Sequence, residues 1–481
     1  MKTTRKYPRI RTLRTLITVF ILCSMLFSLA GCSKKEPREA LDAAYQKTFV
    51  DENPMESVLG FTELTAKLKE NKAHSTGYSF TIQDISGKDL GQYAGFLSGL
   101  GISVDSASDL LNRKCITSAD ITYGGSTLLT VGGQLQGSGL FLTIPQLLDS
   151  SVTVDLSTIK EDLNSDSMLA QLFRAYGLSL PDNLLAELTQ ALISAPSGTE
   201  ELLAAWEALD AAILVEKLDK KNVSLPKNVT AKNVYTVTVP QQAYVDFMDA
   251  YFDFSEQTAA TLTNAFGTEE TNAASSDIKA AKEEFFKLAD AAGDIVVTVA
   301  VTKDGYINYI TSTVTAGEDT ATFTATFTAT FSGSQSPLEA LTLVMDTTMN
   351  GKAYRFDLVQ NFDPTENKID VTAMASEDNT RLFFVDCIGT FTGIEKGQKF
   401  TLDLDYLELE YGTDFSLSLA GDYYVDTTVC NITAPAPSEY NLLRMNQEDY
   451  AALLQEVETN LTENPFLSTI FGMLDFGVSF Q

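Results

Sequence analysis

Few residue sets in this chain could carry chemistry. His74 is its one histidine, so it alone could serve a Ser-His-Asp or Cys-His system. It stands beside Lys72 and Ser75 at the end of an expected helix, where a capping or surface role suits it better. No Gly-x-Ser-x-Gly elbow occurs. Ser157 and Lys160, and Ser224 and Lys227, have the Ser-x-x-Lys spacing that can set an amine beside a hydroxyl. The Ser-Asp-Asn and Lys-Thr-Gly partners of that chemistry are absent, Pro226 sits badly in a helix start, and Ser157 reads as an N-cap. Closely grouped Cys and His, which zinc requires, are missing. Asp403, Asp405, Glu408 and Glu410 are calcium candidates within "LDLDYLELE", but they lack EF-hand spacing. A solvated strand face that discourages edge pairing explains them as well. With 64 acidic residues, no carboxylate pair for glycoside hydrolysis stands out by spacing. Neither a P-loop nor a dinucleotide glycine fingerprint is present. These observations assign no catalytic residue and no cofactor, and they point away from an enzyme.

One cysteine has a clear context. Lys2, Arg5, Lys6, Arg9, Arg11 and Arg14 form a basic start without acids, and residues 16–29 form an apolar run. That run is shorter than the roughly 20 residues of a membrane span. Leu29-Ala30-Gly31-Cys32 follows, and this stretch resembles the lipobox of bacterial lipoprotein precursors. The resemblance implies cleavage after Gly31 and a diacylglycerol on the Cys32 thiol, often with an acylated (palmitate-type) amine. Two acyl chains anchor stably where one is marginal. The expected location is therefore the extracytoplasmic face of a cell membrane, with a Gram-positive envelope as the expected setting. The membrane is then a partner through the N-terminal lipid.

Charge narrows the partners further. The chain carries 34 basic and 64 acidic residues, a net −30. Removing the leader's six basic residues leaves 28 against 64, a net −36. Nucleic-acid binding needs a basic footprint, and none is visible. The acidic field suits solubility in an ionic exterior. Three cysteines remain beyond the anchor, Cys115, Cys387 and Cys430. Their wide spacing is no disulfide framework, and either one bridge or three thiols would fit.

The elements that would position any site read as follows. Residues 1–31 are the leader and 32–54 a lipid-anchored tether with a short helix. Residues 55–230 form a mixed α/β part. Within it "ESVLGFTELTAKLKEN" reads as one amphipathic helix, "YSFTIQ" as a strand, and residues 91–101 as a loose helix. Four or five short strands follow over residues 116–156. Residues 165–214 look helical, including "LLAELTQAL", with Thr199 as a cap and Trp206 packed in a core. Residues 231–434 begin with the strand "VYTVTV", which ends at Pro240, and two helical patterns. From Asp294 turn signals recur about every 13 to 18 residues, implying about nine long antiparallel strands. In "TATFTATFTATF" the Phe and Ala residues line one face and the Thr residues the other. The phase of "FTLDLDYLELEY" flips at Tyr406-Leu407, which implies a β-bulge. Residues 435–481 hold a helix capped by Asn446 and an apolar tail expected to dock, most readily on the sheet's apolar face.

The fold class expected is α+β, a large curved antiparallel sheet, open or half-barrel, packed against amphipathic helices. Long amphipathic strands with interspersed apolar helices, over about residues 76–430, resemble the half-barrel lipoproteins of the LolA and LppX kind. That resemblance implies an apolar ligand between sheet and helices. The expected function is a non-enzymatic binding protein. An envelope scaffold that docks a protein partner is the alternative, and a hydrolase with a carboxylate site is the third reading. A cavity of a few hundred cubic ångströms under the strands would mark a carrier. A filled interior with an exposed apolar patch would mark a docking protein.

Overall fold

The computed structural model describes residues 36–175 and 198–464, apart from 71–72, 89, 92–93, 267–268, 317–322, 335, 350 and 436–437. The leader, Cys32, the "LLAELTQAL" segment and the apolar tail lie outside the described residues. The fold is a large, mostly antiparallel β structure with helices. Its first strands are β1 His74–Gly87, β2 Leu100–Asp109, β3 Lys114–Tyr123, β4 Ser126–Gln136, β5 Gly139–Thr143 and β6 Ser151–Asp155. Next come β7 Leu214–Leu218, β8 Asn233–Val239, β9 Ile295–Val301, β10 Ile307–Ala316, β11 Phe323–Ser332 and β12 Ala340–Met349. The last are β13 Lys352–Asp363, β14 Lys368–Glu377, β15 Thr380–Glu395, β16 Lys399–Tyr411, β17 Phe415–Asp426 and β18 Ser438–Asn441. The helices are α1 Glu36–Tyr45, α2 Pro54–Leu59, α3 Phe61–Lys69, α4 Ala94–Leu97 and α5 Ile159–Leu163. They continue with α6 Met168–Ala175, α7 Thr199–Ala212, α8 Gln241–Phe266, α9 Glu269–Ala292 and α10 Gln447–Glu463. Among the described residues no helix is long and apolar enough to cross a membrane.

Two compact units interleave along the chain. Among the described residues the first comprises 36–57, 198–364 and 370–385. Its strands β7 to β13 pair in sequence order, all antiparallel. Pro240 ends β8 because it has no N–H for the ladder, and α8 and α9 make a helical hairpin before β9. Phe323, Ala325, Phe327, Ala329 and Phe331 on β11 are all buried, as the alternation predicts. They pack with Phe247, Met248, Phe252 and Phe285 of the hairpin. Each such phenylalanine contributes about 1.5–3 kcal/mol on burial. On the opposite face the threonines form hydroxyl pairs, Thr313 with Thr326 at 3.1 Å and Thr311 with Thr328 at 3.3 Å. Trp206 packs edge-on to Phe247, with ring centroids 5.5 Å apart, in the core role expected of it.

Residues 36–51, expected to belong to a tether, are docked in this unit. Leu41 and Ala44 enter the same core. Arg38, only 4% exposed, bonds Asp210 Oδ1 at 2.6 Å and the Asp210 carbonyl at 2.7 Å, with Asp42 at 3.7 Å. A buried guanidinium is tolerated here because its donors find acceptors. Burial raises the Asp42 pKa above the ordinary carboxylate value, against the pull of Arg38.

Among the described residues the second unit comprises 58–175, 365–369 and 386–464. Its strands lie in the order β16, β17, β1, β2, β3, β4, β5, β6, β18. Every pair is antiparallel except β18 with β6. Thus an early strand, β1, is held between β2 and a strand more than 300 residues later.

Several local expectations change. "ESVLGFTELTAKLKEN" is two helices, because Gly60 takes a left-handed conformation at φ 66 that only glycine adopts cheaply. His74 opens β1 rather than ending a helix. Residues 91–101 give one short helical turn, α4, and then β2. Gly198, not Thr199, stands at the N-cap of α7. Ser157 does not cap a helix, because its hydroxyl donates back to Asp155 at 2.6 Å. Other expectations hold. Nine strands lie between Ile295 and Asp426. The register of β16 on β17 shifts between Leu404 and Leu407, as the phase flip implied. Asn446 caps α10 by accepting from the Glu448 and Asp449 amides. No disulfide joins Cys115, Cys387 or Cys430.

Candidate functional site

The sheet of the second unit has two chemically opposite faces, and register fixes which residues share each. On β17, Phe415, Leu417, Leu419, Tyr423 and Val425 alternate with Ser416, Ser418, Asp422, Tyr424 and Asp426. One cross-strand row runs Leu402, Tyr423, Tyr78, Val104, Ala119 and Val131. The next runs Leu404, Gly421, Phe80, Ile102, Ile121 and Leu129. Side chains directly opposite in a ladder point the same way, so these rows form one continuous apolar face.

Helices cover that face at two sides. Along β16 and β17, Phe61 of α3 meets Phe400 edge-on at 5.6 Å, and Phe400 packs on Tyr423 at 6.1 Å. Toward β4 and β6, Leu453, Val457 and Leu461 of α10 pack with Leu129 and Val152. Ile159 and Leu163 of α5 and Leu169 of α6 pack with Leu135 and Val154. The strip between carries large exposed side chains. Ile102 is 45% exposed, and Tyr78 and Tyr423 are each 38% exposed. Tyr78 and Phe80 lie with ring centroids 5.7 Å apart. The strip is an exposed apolar patch with aromatics, bordered by packed helices.

The reverse face holds carboxylates. Tyr424 donates to Asp105 at 2.8 Å, Thr130 to Asp120 at 2.5 Å, and Ser79 to Asp422. Ser75, Asp105, Ser118, Tyr424 and Asp426 line a groove of about 380 Å³. Burial, then the bond to Asp105, pushes the Tyr424 pKa up to about 12. Burial works against the Asp426 carboxylate, but hydrogen bonds from the Thr428 side chain and amide outweigh it and hold its pKa low. That is opposite to what a general acid needs. Asp403, Glu408 and Glu410 line this polar face too, with Asp405 at the bulge. Thr392 donates to Asp403 at 2.8 Å, and Tyr406 donates to Glu408. No group of three possible metal ligands gathers among the described residues, so these calcium candidates are not brought together as a site.

Hollows among the described residues of the first unit differ in character. One, of about 40 Å³, lies among Leu41, Tyr45, Val215, Val237, Val297 and Ile310, with Arg38 and Asp42 at its edge. It has room for only a few waters. Another is a polar crevice of about 740 Å³ that includes Lys232, Lys303, Asp304, Tyr306 and Asn308.

No family model matches the chain, and no curated protein matches it. Among solved structures, the low-pH structure of Pseudomonas putida OprB covers 76% of this chain and 96% of its own, at 4% identity and a TM-score of 0.19. Similarity that low carries no argument about fold or function.

The sequence pattern assigns residues 91–101 to a loose helix and gives residues 102–109 no element, so β2 and the apolar strip it carries are not found from it. The alternation in "LGISVDSASD" was the signal that could have found it.

Proposed function

We propose that the chain is a lipoprotein held through Cys32 to the extracytoplasmic face of the membrane, where it binds an apolar ligand without catalysis. The observation that carries this reading is the strip of Tyr78, Ile102 and Tyr423, exposed between helix-covered flanks of one apolar sheet face. The basic leader, apolar run and Leu29-Ala30-Gly31-Cys32 box support the address. The ligand is assigned to the second unit, because the core of the first is filled by α1, α8 and α9 around a hollow of about 40 Å³. A docking role for an envelope protein is the second reading, favoured by the open shape of the strip. A hydrolase is the least supported, since Asp426 is held deprotonated rather than poised as an acid.

The test is native mass spectrometry of the chain from Ser33, purified without detergent from its own host, followed by solvent extraction. A stoichiometric lipid or other apolar adduct supports the carrier reading and names the cargo. A bare mass, unchanged after exposure to envelope lipids, overturns it and turns attention to a protein partner.

A further inference from the structure

The polar crevice of the first unit is chemically unlike the apolar strip. It lies where the connection from β7 to β8, the turn from β9 to β10 and the end of β11 come together, and its volume is about 740 Å³. That connection is a basic island. Residues 217–232 hold five lysines and one acid, in a chain with 34 basic and 64 acidic residues.

The frame of the crevice is fixed. Val229 and Ala231 are buried with Val234, Ala300 and Tyr309. The Asn308 side-chain amide donates to the Thr230 carbonyl at 2.8 Å, and Lys220 donates to the Ala231 carbonyl at 2.6 Å. In the turn, the Tyr306 amide donates to Thr302 Oγ1 at 3.1 Å, and the Thr302 amide donates to the Tyr306 carbonyl at 2.8 Å. On this frame stand Asn228, Thr230, Lys232, Lys303, Asp304 and Ser332, whose side chains make no hydrogen bond or ion pair among the described residues. The scaffold thus holds its own polar groups in bonds and leaves these six facing solvent at a concave surface.

We propose that this crevice binds a phosphorylated polyol, with its phosphate on Lys232 and Lys303 and its hydroxyls on Asn228, Thr230, Asp304 and Ser332. A lysine ammonium is a compact cation suited to phosphate, and the two come from different loops. Asp304 accepts from hydroxyls and repels further anionic groups, so one phosphate on an uncharged polyol fits and a polyphosphate does not. The volume falls within the range of small-molecule sites. A soluble sugar phosphate and a phospholipid headgroup both offer this chemistry. The site stands independently of the strip in the second unit.

The experiment uses the full mature chain, residues 32–481, made without its lipid and titrated calorimetrically with glucose 6-phosphate and glycerol 3-phosphate. At least one should bind more tightly than glucose, glycerol or inorganic phosphate. Lys232→Ala with Lys303→Ala should weaken that binding about tenfold or more. Lys279→Ala with Lys287→Ala, which removes the same charge from exposed positions on α9, should leave it unchanged. Trp206 fluorescence in urea checks that each variant is folded. Asp304→Asn should narrow the preference over inorganic phosphate. Flotation with vesicles of phosphatidylglycerol and phosphatidylcholine in equal parts, against phosphatidylcholine alone, identifies the source: co-flotation that the crevice double variant loses supports a headgroup, and its absence beside sugar-phosphate binding supports a soluble ester. Binding of neither ester by the parent, or equal loss in both double variants, overturns the site. Equal affinity for inorganic phosphate, or a preference that Asp304→Asn leaves untouched, overturns the polyol assignment.

Discussion

Replacing Arg38 by methionine tests how the N-terminal helix is held. Methionine keeps the apolar reach of the side chain and removes five donors. The native guanidinium is 4% exposed and bonds Asp210 Oδ1 at 2.6 Å, the Asp210 carbonyl at 2.7 Å and the Ile213 carbonyl at 3.4 Å. Breaking a fully buried pair costs about 3–5 kcal/mol, because one charge is stranded. Asp210 and Asp42 retain 16% and 26% side-chain exposure, so water offsets part of that cost. The expected loss is about 2–3 kcal/mol. Trp206, the single tryptophan, packs on Phe247 in the same unit, so its fluorescence in a urea titration reads this unit directly. Asp210→Leu and Asp42→Ala added to Arg38→Met should recover most of the loss, since an apolar replacement of the whole cluster strands no charge. A loss below about 0.5 kcal/mol, the range of an ordinary surface substitution, would refute the claim that the pair locks α1 to the core.

Other expectations follow from single contacts. Ile102→Asp should leave urea stability within about 0.5 kcal/mol, because its site is already 45% exposed, yet abolish apolar-ligand binding by mass spectrometry. Gly60→Ala should destabilise the second unit by about 1–3 kcal/mol, because φ is 66 and the added Cβ would sit 2.6 Å from the Gly397 amide nitrogen; circular-dichroism melts would read this. Burial, then Asp294 and Asp290, raises the Tyr244 pKa to about 12. The folded state therefore holds the proton longer than the unfolded chain. The resulting stability is fully present below pH 10 and is lost as pH rises toward 12; Tyr244→Phe should flatten part of that fall in alkaline denaturation curves. Asn446→Ala should cost about 1 kcal/mol by removing the cap of α10.

What could be read from the sequence was set by local pattern, and what could not by distant pairing. The Phe-Ala alternation over β11 and the bulge at Tyr406-Leu407 depend on side-chain period alone, and both appear where the pattern places them. The same holds for Asn446, whose cap involves residues two and three positions on. The pairing of Tyr78 with Tyr423, by contrast, joins residues far apart in the chain. Nothing local to "YSFTIQ" says that "FSLSLAGDYYVD" will lie beside it. That pairing joins the alternation of β2 and β1 to that of β17, so local pattern marks the apolar residues of each strand but not the strip they form together. Arg38 teaches the same lesson in charge. In sequence it is one more basic residue near an anchor, and only Asp210, 172 positions away, makes it a lock that turns an expected tether into a docked helix. If Cys32 carries lipid as proposed, only Ser33, Lys34 and Lys35 separate it from α1, about 14 Å when extended. The first unit would then stand directly against the membrane rather than at the end of a long leash. A flexible insert after Lys35 should raise protease access to α1 in intact cells, and an unchanged cleavage rate would show that the membrane does not shield it.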